Sequence, residues 1–527
     1  MKRIKQFRLI CLVLTGLLTV KLFYLSVIKT DELSQSAVLQ RTQNINIKSV
    51  RGIIYDRSMI PLTEGENRLH AAVFPDELED KGEAEQLLGK GISYGSGVQI
   101  FPLDSVSDKQ TRLITMRGIS LFNVSERYNE AGLLSHVIGY TSDNGGFGIE
   151  RIFNKALTVG ETDSISLTQN AGNQIMSGLG HSKIINNTYR GVQLTVDYHV
   201  QSAVEKVLDD NIESGCAIVL DAVTGNVLAM ASRPNFKQSE LVKYLNGNRG
   251  ELINRALSAY DIGSIFKIVL TAAALEEGLV TPGYEFECNG SVDIDGMEFP
   301  CNEKNGHGVI TLADGLAKSC NAVYYGLGQK IGIDNIYKYA KEFGLGEPVL
   351  NIEKLNESAG YIPRFSYSSR ELANISIGQG NVSVTPVQAA DILCTIVNGG
   401  IRQQLSLVSG IVDDGGTAHT MMPTERGRVI SKKTAQTLKD MLDSTVEYGT
   451  GTRAKIDDWG AGGKTGSAET GWATKDGTMT HAWFAGYFPK DNPRYVCVVM
   501  LENGRTGAGA AAPVFKEIGT EIKRLNR

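Results

Sequence analysis

The sequence predicts an α/β protein in which a C-terminal antiparallel sheet flanked by helices is preceded by a strand-rich domain and one N-terminal transmembrane helix. Three observations predict it. A basic N-terminus runs straight into a long apolar segment. Residues 31–190 carry short, irregular, strand-like stretches and Gly-rich turns. From Leu194 the pattern changes to hairpin, helical middle, late buried strand and closing helix. At 527 residues the chain exceeds one ordinary core. The expected division is 1–30, 31–190 and 191–527.

The first element is the anchor. Lys2, Arg3, Lys5 and Arg8 precede an apolar run over 9–28, interrupted only by Lys21. About twenty residues at helical rise cross the hydrocarbon core of a bilayer. Basic residues in front of such a run predict a cytoplasmic N-terminus and a bulk outside the cell membrane. Lys21 falls in the outer part of the span, where its long side chain reaches the interface. A cleaved signal peptide is the rival, but no small-x-small cleavage site follows the apolar run.

Between 31 and 190, residues 51–57 read as a strand with a charged end. Residues 143–148 read as a turn, and 150–157 as a short amphipathic helix. In the C-terminal part, 196–207 reads as a helix and 216–220 as a buried strand. Thr224-Gly225 forms the turn of a hairpin over 222–228. Thr385-Pro-Val-Gln388 has the residues of a capping box that starts a helix. Residues 496–501 read as a late buried strand and 513–524 as a closing helix.

Composition is globular, with 42% hydrophobic and 21% charged residues, and the net charge of −5 offers no basic footprint for nucleic acid. Seven cysteines make an odd count without a disulfide-scaffold pattern. Cys11 lies in the anchor, while Cys216, Cys394 and Cys497 sit in apolar stretches as small hydrophobes.

The chemistry is carried by three motifs in order. Ser264-Ile-Phe-Lys267 opens an apolar helix expected over 265–275, with serine and lysine on one face. A desolvated, neutral Lys267 near a helix N-terminus is able to take the Ser264 proton. Ser319-Cys-Asn321 precedes another helix: Ser319 is a candidate proton relay and Asn321 a candidate amide holder. Both residues are also ordinary N-cap types. Lys464-Thr-Gly-Ser467 reads as an edge strand. It offers Lys464 to a substrate carboxylate and the Ser467 N–H, with that of Ser264, to an oxyanion; Thr465 and Gly466 line the substrate. Strict alternation puts Lys464 and Ser467 on opposite faces, which Gly466 resolves by a bulge or a close backbone approach. Each motif is weak alone. Ser26-Val-Ile-Lys29 matches the first by chance, and Ser142-Asp-Asn144 is a decoy for the second because it precedes the nucleophile.

The ordered set resembles penicillin-binding proteins and serine β-lactamases, whose established signature it is. It is most similar to class B penicillin-binding proteins, the membrane-anchored D,D-transpeptidases that crosslink peptidoglycan. The resemblance covers nearly the whole chain. Residues 51–57 resemble the family's first N-terminal motif and 146–157 its pedestal motif. Asn254-Arg-Ala, Gly378-Gln-Gly, Thr385-Pro-Val-Gln388 and His481-Ala-Trp-Phe-Ala-Gly486 resemble its transpeptidase landmarks.

By this resemblance Ser264 is acylated by a stem peptide with release of D-Ala, and an amine of a second stem attacks the acyl-enzyme. β-Lactams acylate the same serine, no cofactor is required, and a glycosyltransferase is an implied partner. Tyr260-Asp-Ile-Gly263 departs from the usual Tyr-Glu-Pro-Gly, and Ser467 from the usual Thr. The alternatives are a β-lactamase, which hydrolyses rather than transfers, and a membrane-bound β-lactam sensor or scaffold.

Cys288, Cys301 and His307, in the spacing C-x12-C-x5-H, supply three ligands suited to zinc, with Asp261 or Asp314 as the fourth. A Cys288–Cys301 disulfide and two unpaired thiols are the other readings. A metal here would be structural.

Overall fold

The computed structural model describes all residues except 1, 65, 94–96, 104–107, 130, 143–144, 169–180, 185–187, 351, 421–424, 475–476 and 527. The chain forms two compact units. The first holds Met1–Arg51, Glu66–Glu126 and Thr158–Thr188; the second holds Gly52–Gly65, Arg127–Leu157 and Tyr189–Arg527. The chain therefore crosses between units several times before residue 190.

The first unit begins with the helix Lys2–Phe23, extended by a π-turn over Tyr24–Ile28. No side chain in Lys2–Phe23 is buried, and the segment Lys2–Ile28 is long and apolar enough to cross a membrane. The same unit contains an antiparallel sheet in which Glu66–Val73 lies between Gln99–Pro102 and Ile119–Glu126. Ala71 and Val73 of that sheet pack with Ala84 and Leu88 of the helix Lys81–Leu88. In a second sheet Thr158–Thr168 lies between Thr42–Arg51 and His181–Ile184.

In the second unit the site is built on ten elements. They are α1 (Tyr198–Asn211), β1 (Gly215–Asp221), β2 (Val227–Arg233), α2 (Lys267–Glu276), α3 (Asn321–Ile331), α4 (Pro386–Val397), β3 (Gly462–Thr474), β4 (Gly477–Phe488), β5 (Tyr495–Leu501) and α5 (Ala512–Leu525). The five strands form one antiparallel sheet in the order β2-β1-β5-β4-β3. The β1–β2 hairpin turns at Gly225, whose φ of +73° is a left-handed conformation that glycine adopts without strain.

Every residue of β2 and β5 is buried, and the late apolar run over 496–501 is the strand β5. Alternation assigns the two faces. Ala217, Val219, Cys497 and Val499 pack with Val204 and Leu208 of α1 and Phe515 and Ile518 of α5. Cys216, Ile218, Val498 and Met500 pack with Ile392 and Ile396 of α4. Each such buried Val, Leu, Ile, Phe or Met side chain contributes about 1.5–3 kcal/mol relative to exposure. The capping box at α4 forms as expected. Thr385 N–H donates to Gln388 Oε1 at 2.8 Å, and Gln388 N–H donates to Thr385 Oγ1 at 3.2 Å.

Several boundaries differ from expectation for local reasons. The helix expected at 196 starts at Tyr198, because Asp197 caps it by accepting from His199 N and Val200 N. The strand expected over 51–57 breaks at Gly52; a Cβ there would stand 2.9 Å from Arg190 O, so the chain turns where it passes Arg190. The helix expected over 150–157 becomes Gly148–Ile152 and Asn154–Leu157, separated at Phe153. Inside it, Glu150 is buried and takes the Arg127 guanidinium at 2.7 Å. Asp143 and Asn144, in the expected turn and the Ser142-Asp-Asn144 decoy, lie outside the described residues.

Candidate active site

The single apolar helix expected from residue 265 is instead a 3-10 turn, Gly263–Ile265, followed by α2. Ser264 sits in the turn and Lys267 is the first residue of the helix. Gly263 adopts φ +57° and lies flat against β3: a Cβ there would stand 2.6 Å from Ser467 O. Gly263 N–H also donates to Gly378 O at 2.9 Å. The turn is thus clamped between the K-T-G strand and the Gly378 loop.

Lys267 is fully buried. Its Nζ donates to Asn321 Oδ1 at 2.7 Å, Ser319 O at 2.9 Å and Ser319 Oγ at 3.3 Å. It also stands over the Tyr324 ring, 5.1 Å from the centroid. No hydrogen bond joins Lys267 to Ser264 among the described residues, a looseness common in substrate-free sites. The N-cap alternative for Ser319 and Asn321 does not hold. The cap position of α3 is Cys320, without a side-chain bond, and Ser319 takes φ +56° to turn toward Lys267.

On the other side, Lys464 is also fully buried, with Nζ donating to Thr465 O at 3.0 Å. Thr465 Oγ1 meets Thr450 Oγ1 at 2.7 Å. Among the described residues neither lysine has a carboxylate partner. Burial alone drives the Lys267 amine down to about 7. Lys464 is pushed well below its ordinary value by burial and then by the nearby Lys267 charge. Two ammonium ions in one dry pocket are mutually unfavourable, so one is held ready as a neutral amine.

The edge strand β3 solves the facing problem without a bulge. Its pairing with β4 is regular from Gly462 to Glu469, and the irregularity comes only between Glu469 and Ala473. Gly466 marks a close approach instead: a Cβ would meet Ile262 O, Ile265 Cγ1 and Trp483 Cβ at 3.1 Å. The Ser467 carbonyl faces Gly263. In an extended strand one residue's C=O and N–H point to the same side, so the Ser467 N–H is aimed at the nucleophile turn as well. The Ser467 hydroxyl accepts from Gly507 N–H at 3.1 Å.

The cysteine cluster corrects one expectation. Cys288, Cys301 and His307 meet Cys320, and the four ligand atoms lie within 4.8 Å of one another. Neither Asp261 nor Asp314 joins them. Asp314 accepts from Tyr448 OH at 2.8 Å and from its own helix cap, and Asp261 lines a separate cavity. Cys288 Sγ and Cys301 Sγ lie 3.5 and 3.6 Å from His307 Nδ1, and Cys301 Sγ lies 3.7 Å from Cys320 Sγ. Tetrahedral zinc with Zn–S of about 2.3 Å and Zn–N of about 2.0 Å requires S···N near ~3.5 Å and S···S near ~3.8 Å. The donor set fits that ion. All seven cysteines are free thiols here. Cys320 was hidden in the sequence because it lies inside the Ser-x-Asn motif.

Residues 215–520 match the penicillin binding protein transpeptidase domain. Stage V sporulation protein D of Bacillus subtilis is 28% identical over 94% of this chain and 82% of its own length. Peptidoglycan D,D-transpeptidase PbpA of Mycolicibacterium smegmatis is 29% identical over 60% of this chain and 70% of its own length. A chain from a solved peptidoglycan synthase complex, described as coordinating polymerization and crosslinking, superposes with a TM-score of 0.70. It is 26% identical, and the match covers 98% of both chains.

Proposed function

The chain belongs to the penicillin-binding protein transpeptidase family, and from that footing we propose that it is a serine D,D-transpeptidase that crosslinks peptidoglycan stem peptides and is acylated by β-lactams. The observation that carries the reading is the burial of Lys267 between the nucleophile turn and the Ser319–Asn321 pair, with its amine brought down to about 7.

The residues divide the reaction as follows. Ser264 Oγ attacks the carbonyl of the penultimate D-Ala while neutral Lys267 takes its proton. The N–H groups of Ser264 and Ser467 receive the developing oxyanion. Lys464, with Thr465 and Gly466 beside it, meets the terminal carboxylate. As the C–N bond breaks, the proton passes from Lys267 through Ser319 to the departing D-Ala amine, and Asn321 holds both the Lys267 amine and the substrate amide. The amine of a second stem then attacks the ester, and Ser264 regains its proton. No cofactor enters these steps.

Finer assignments belong to the same proposal. Residues 1–30 anchor the chain in the cell membrane, with 31–190 as a non-catalytic pedestal and 191–527 as the catalytic domain outside. The solved synthase complex supports a glycosyltransferase partner. Cys288, Cys301, His307 and Cys320 hold a structural zinc. That ion supplies no chemistry to the reaction; it braces the stretch between Ser319 and Asn321.

The test uses a donor peptide ending in D-Ala-D-Ala. D-Ala release that increases with an added amine acceptor, and is lost in Ser264→Ala, is the expected result. Release indifferent to acceptor, with fast β-lactam turnover, would return the enzyme to the hydrolase reading. Release surviving in Ser264→Ala would remove the nucleophile.

A further inference from the structure

Thr450 belongs to none of the catalytic motifs, yet its hydroxyl touches one of them. It lies in the turn after the helix Lys432–Glu447. Thr450 N–H donates to Ala317 O at 3.0 Å, and a Cβ on the preceding Gly449 would stand 2.2 Å from that same carbonyl oxygen. Ala317 ends the helix Leu312–Ala317, two residues before Ser319. On its other side, Thr450 Oγ1 lies 2.7 Å from Thr465 Oγ1 in β3. One residue therefore ties the Ser319 segment to the K-T-G strand.

The geometry fixes which way the hydrogens of this pair point. A hydroxyl has one hydrogen to donate and two lone pairs with which to accept. The Thr450 hydrogen has two acceptors in reach, Ala317 O at 3.5 Å and Thr465 Oγ1 at 2.7 Å. The first lies beyond the ordinary O–H···O range, and that carbonyl already takes the Thr450 N–H. The hydrogen therefore goes to Thr465. Lys464 Nζ donates to the same oxygen at 3.4 Å. Both Thr465 lone pairs are then engaged, and its own hydrogen is left without an acceptor among the described residues. Lys464 is fully buried and Thr465 keeps 6% exposure, so the free O–H belongs to the outer member of the pair. A donor with a buried amine behind it suits an anion that only accepts.

We propose that Thr450 is a positioning residue for substrate specificity: by donating to Thr465 it leaves the Thr465 hydroxyl to donate to the terminal carboxylate of the donor peptide, and so makes the enzyme select a free carboxylate over its neutral derivatives. The proposal rests on the transpeptidase reading and deepens it. Thr450 acts through Thr465. A carboxylate only accepts hydrogen bonds, and a bond to an ionised acceptor is stronger than one between neutral groups. The chain from Thr450 through Thr465 to the carboxylate runs donor to acceptor in one sense, so each bond polarises the next. Thr450→Val keeps the branched shape and removes the hydrogen that sets this direction.

The test compares two probes on one preparation. The full chain, in detergent, is acylated by benzylpenicillin or by its methyl ester, which has the same lactam and a capped carboxylate. Intact-protein mass spectrometry gives the acylation rate constant for each. The amount of folded enzyme cancels from the acid-to-ester ratio. Wild type should favour the acid. Thr450→Val should lower the ratio about fivefold or more, the contribution of one hydrogen bond, and Thr450→Ser should keep it near wild type. If Thr450→Val does not fold, Thr450→Ala carries the same expectation. An unchanged ratio, even with both rates falling in parallel, overturns the proposal and leaves the transpeptidase reading standing. So does a loss in Thr450→Ser equal to that in Thr450→Val, or a wild type indifferent to the carboxylate. A wild type that takes up neither probe overturns that reading and the proposal with it.

Discussion

Lys267 shows how burial turns a common residue into a base. An exposed lysine is protonated at neutral pH and has no lone pair to offer. Sunk fully into the core, it loses hydration, and its amine falls to about 7. On the proposed mechanism deprotonated Lys267 is the active form, so β-lactam acylation should rise with pH through about 7 and then level off. A flat profile from pH 5 to 9, measured by stopped-flow acylation, would contradict this. Lys267→Arg keeps the charge at all accessible pH and should lower the acylation rate by about 100-fold or more. Ser264, Lys267, Ser319, Asn321 and Lys464 all stand out as candidates in the sequence because they lie in short motifs. Cys320 does not, since its partners are set by the fold and its neighbours already explained the motif. Asp261 was drawn to the metal by proximity along the chain, but its side chain lines a cavity away from the thiols.

At the level of elements, the turn bearing Ser264 is stiff because its neighbours leave no room. A Cβ on Gly378, which has φ +72°, would stand 2.1 Å from Gly263 O. Gly378→Ala should therefore displace the nucleophile turn and cost about 2 kcal/mol or more of stability. Acylation should fall beyond the loss of folded protein, as read by active-site titration against a melting curve; a normal rate per folded molecule would contradict the clamp. The motif Gly378-Gln-Gly380 was visible, but nothing in its residues announced what it touches. The helix expected over 265–275 forms as 267–276; only its first two residues were misplaced, because Ile265 closes a 3-10 turn that the apolar pattern runs through.

On the proposed zinc reading, the hairpins around Cys288 and Cys301 make a second brace through Cys288, Cys301, His307 and Cys320. Purified protein should carry about one zinc per chain. Chelation or Cys320→Ser should remove it and lower the melting temperature. Metal-free wild type with an unchanged melting curve would discard the ion.

For the whole molecule, the large sheet was the easiest feature to read. β2 and β5 are buried throughout, and turn chemistry at Gly225 fixes the pairing of β2 with β1. The strand-rich N-terminal region was harder, because its chain weaves between two units and no local signal marks each crossing. The segment Lys2–Ile28 exposes its apolar residues. A chain starting after Ile28 should stay in solution on fractionation and bind labelled penicillin as fast as the full chain. Loss of labelling in a folded truncation would give the anchor a catalytic part.

The central claim is that Ser264 carries the acyl group. Intact-protein mass spectrometry after penicillin treatment, with the modified peptide mapped, tests it most directly. One added penicillin mass per chain on the peptide containing Ser264, absent in Ser264→Ala, is the predicted result. An adduct on any other residue, or one that persists in Ser264→Ala, contradicts it.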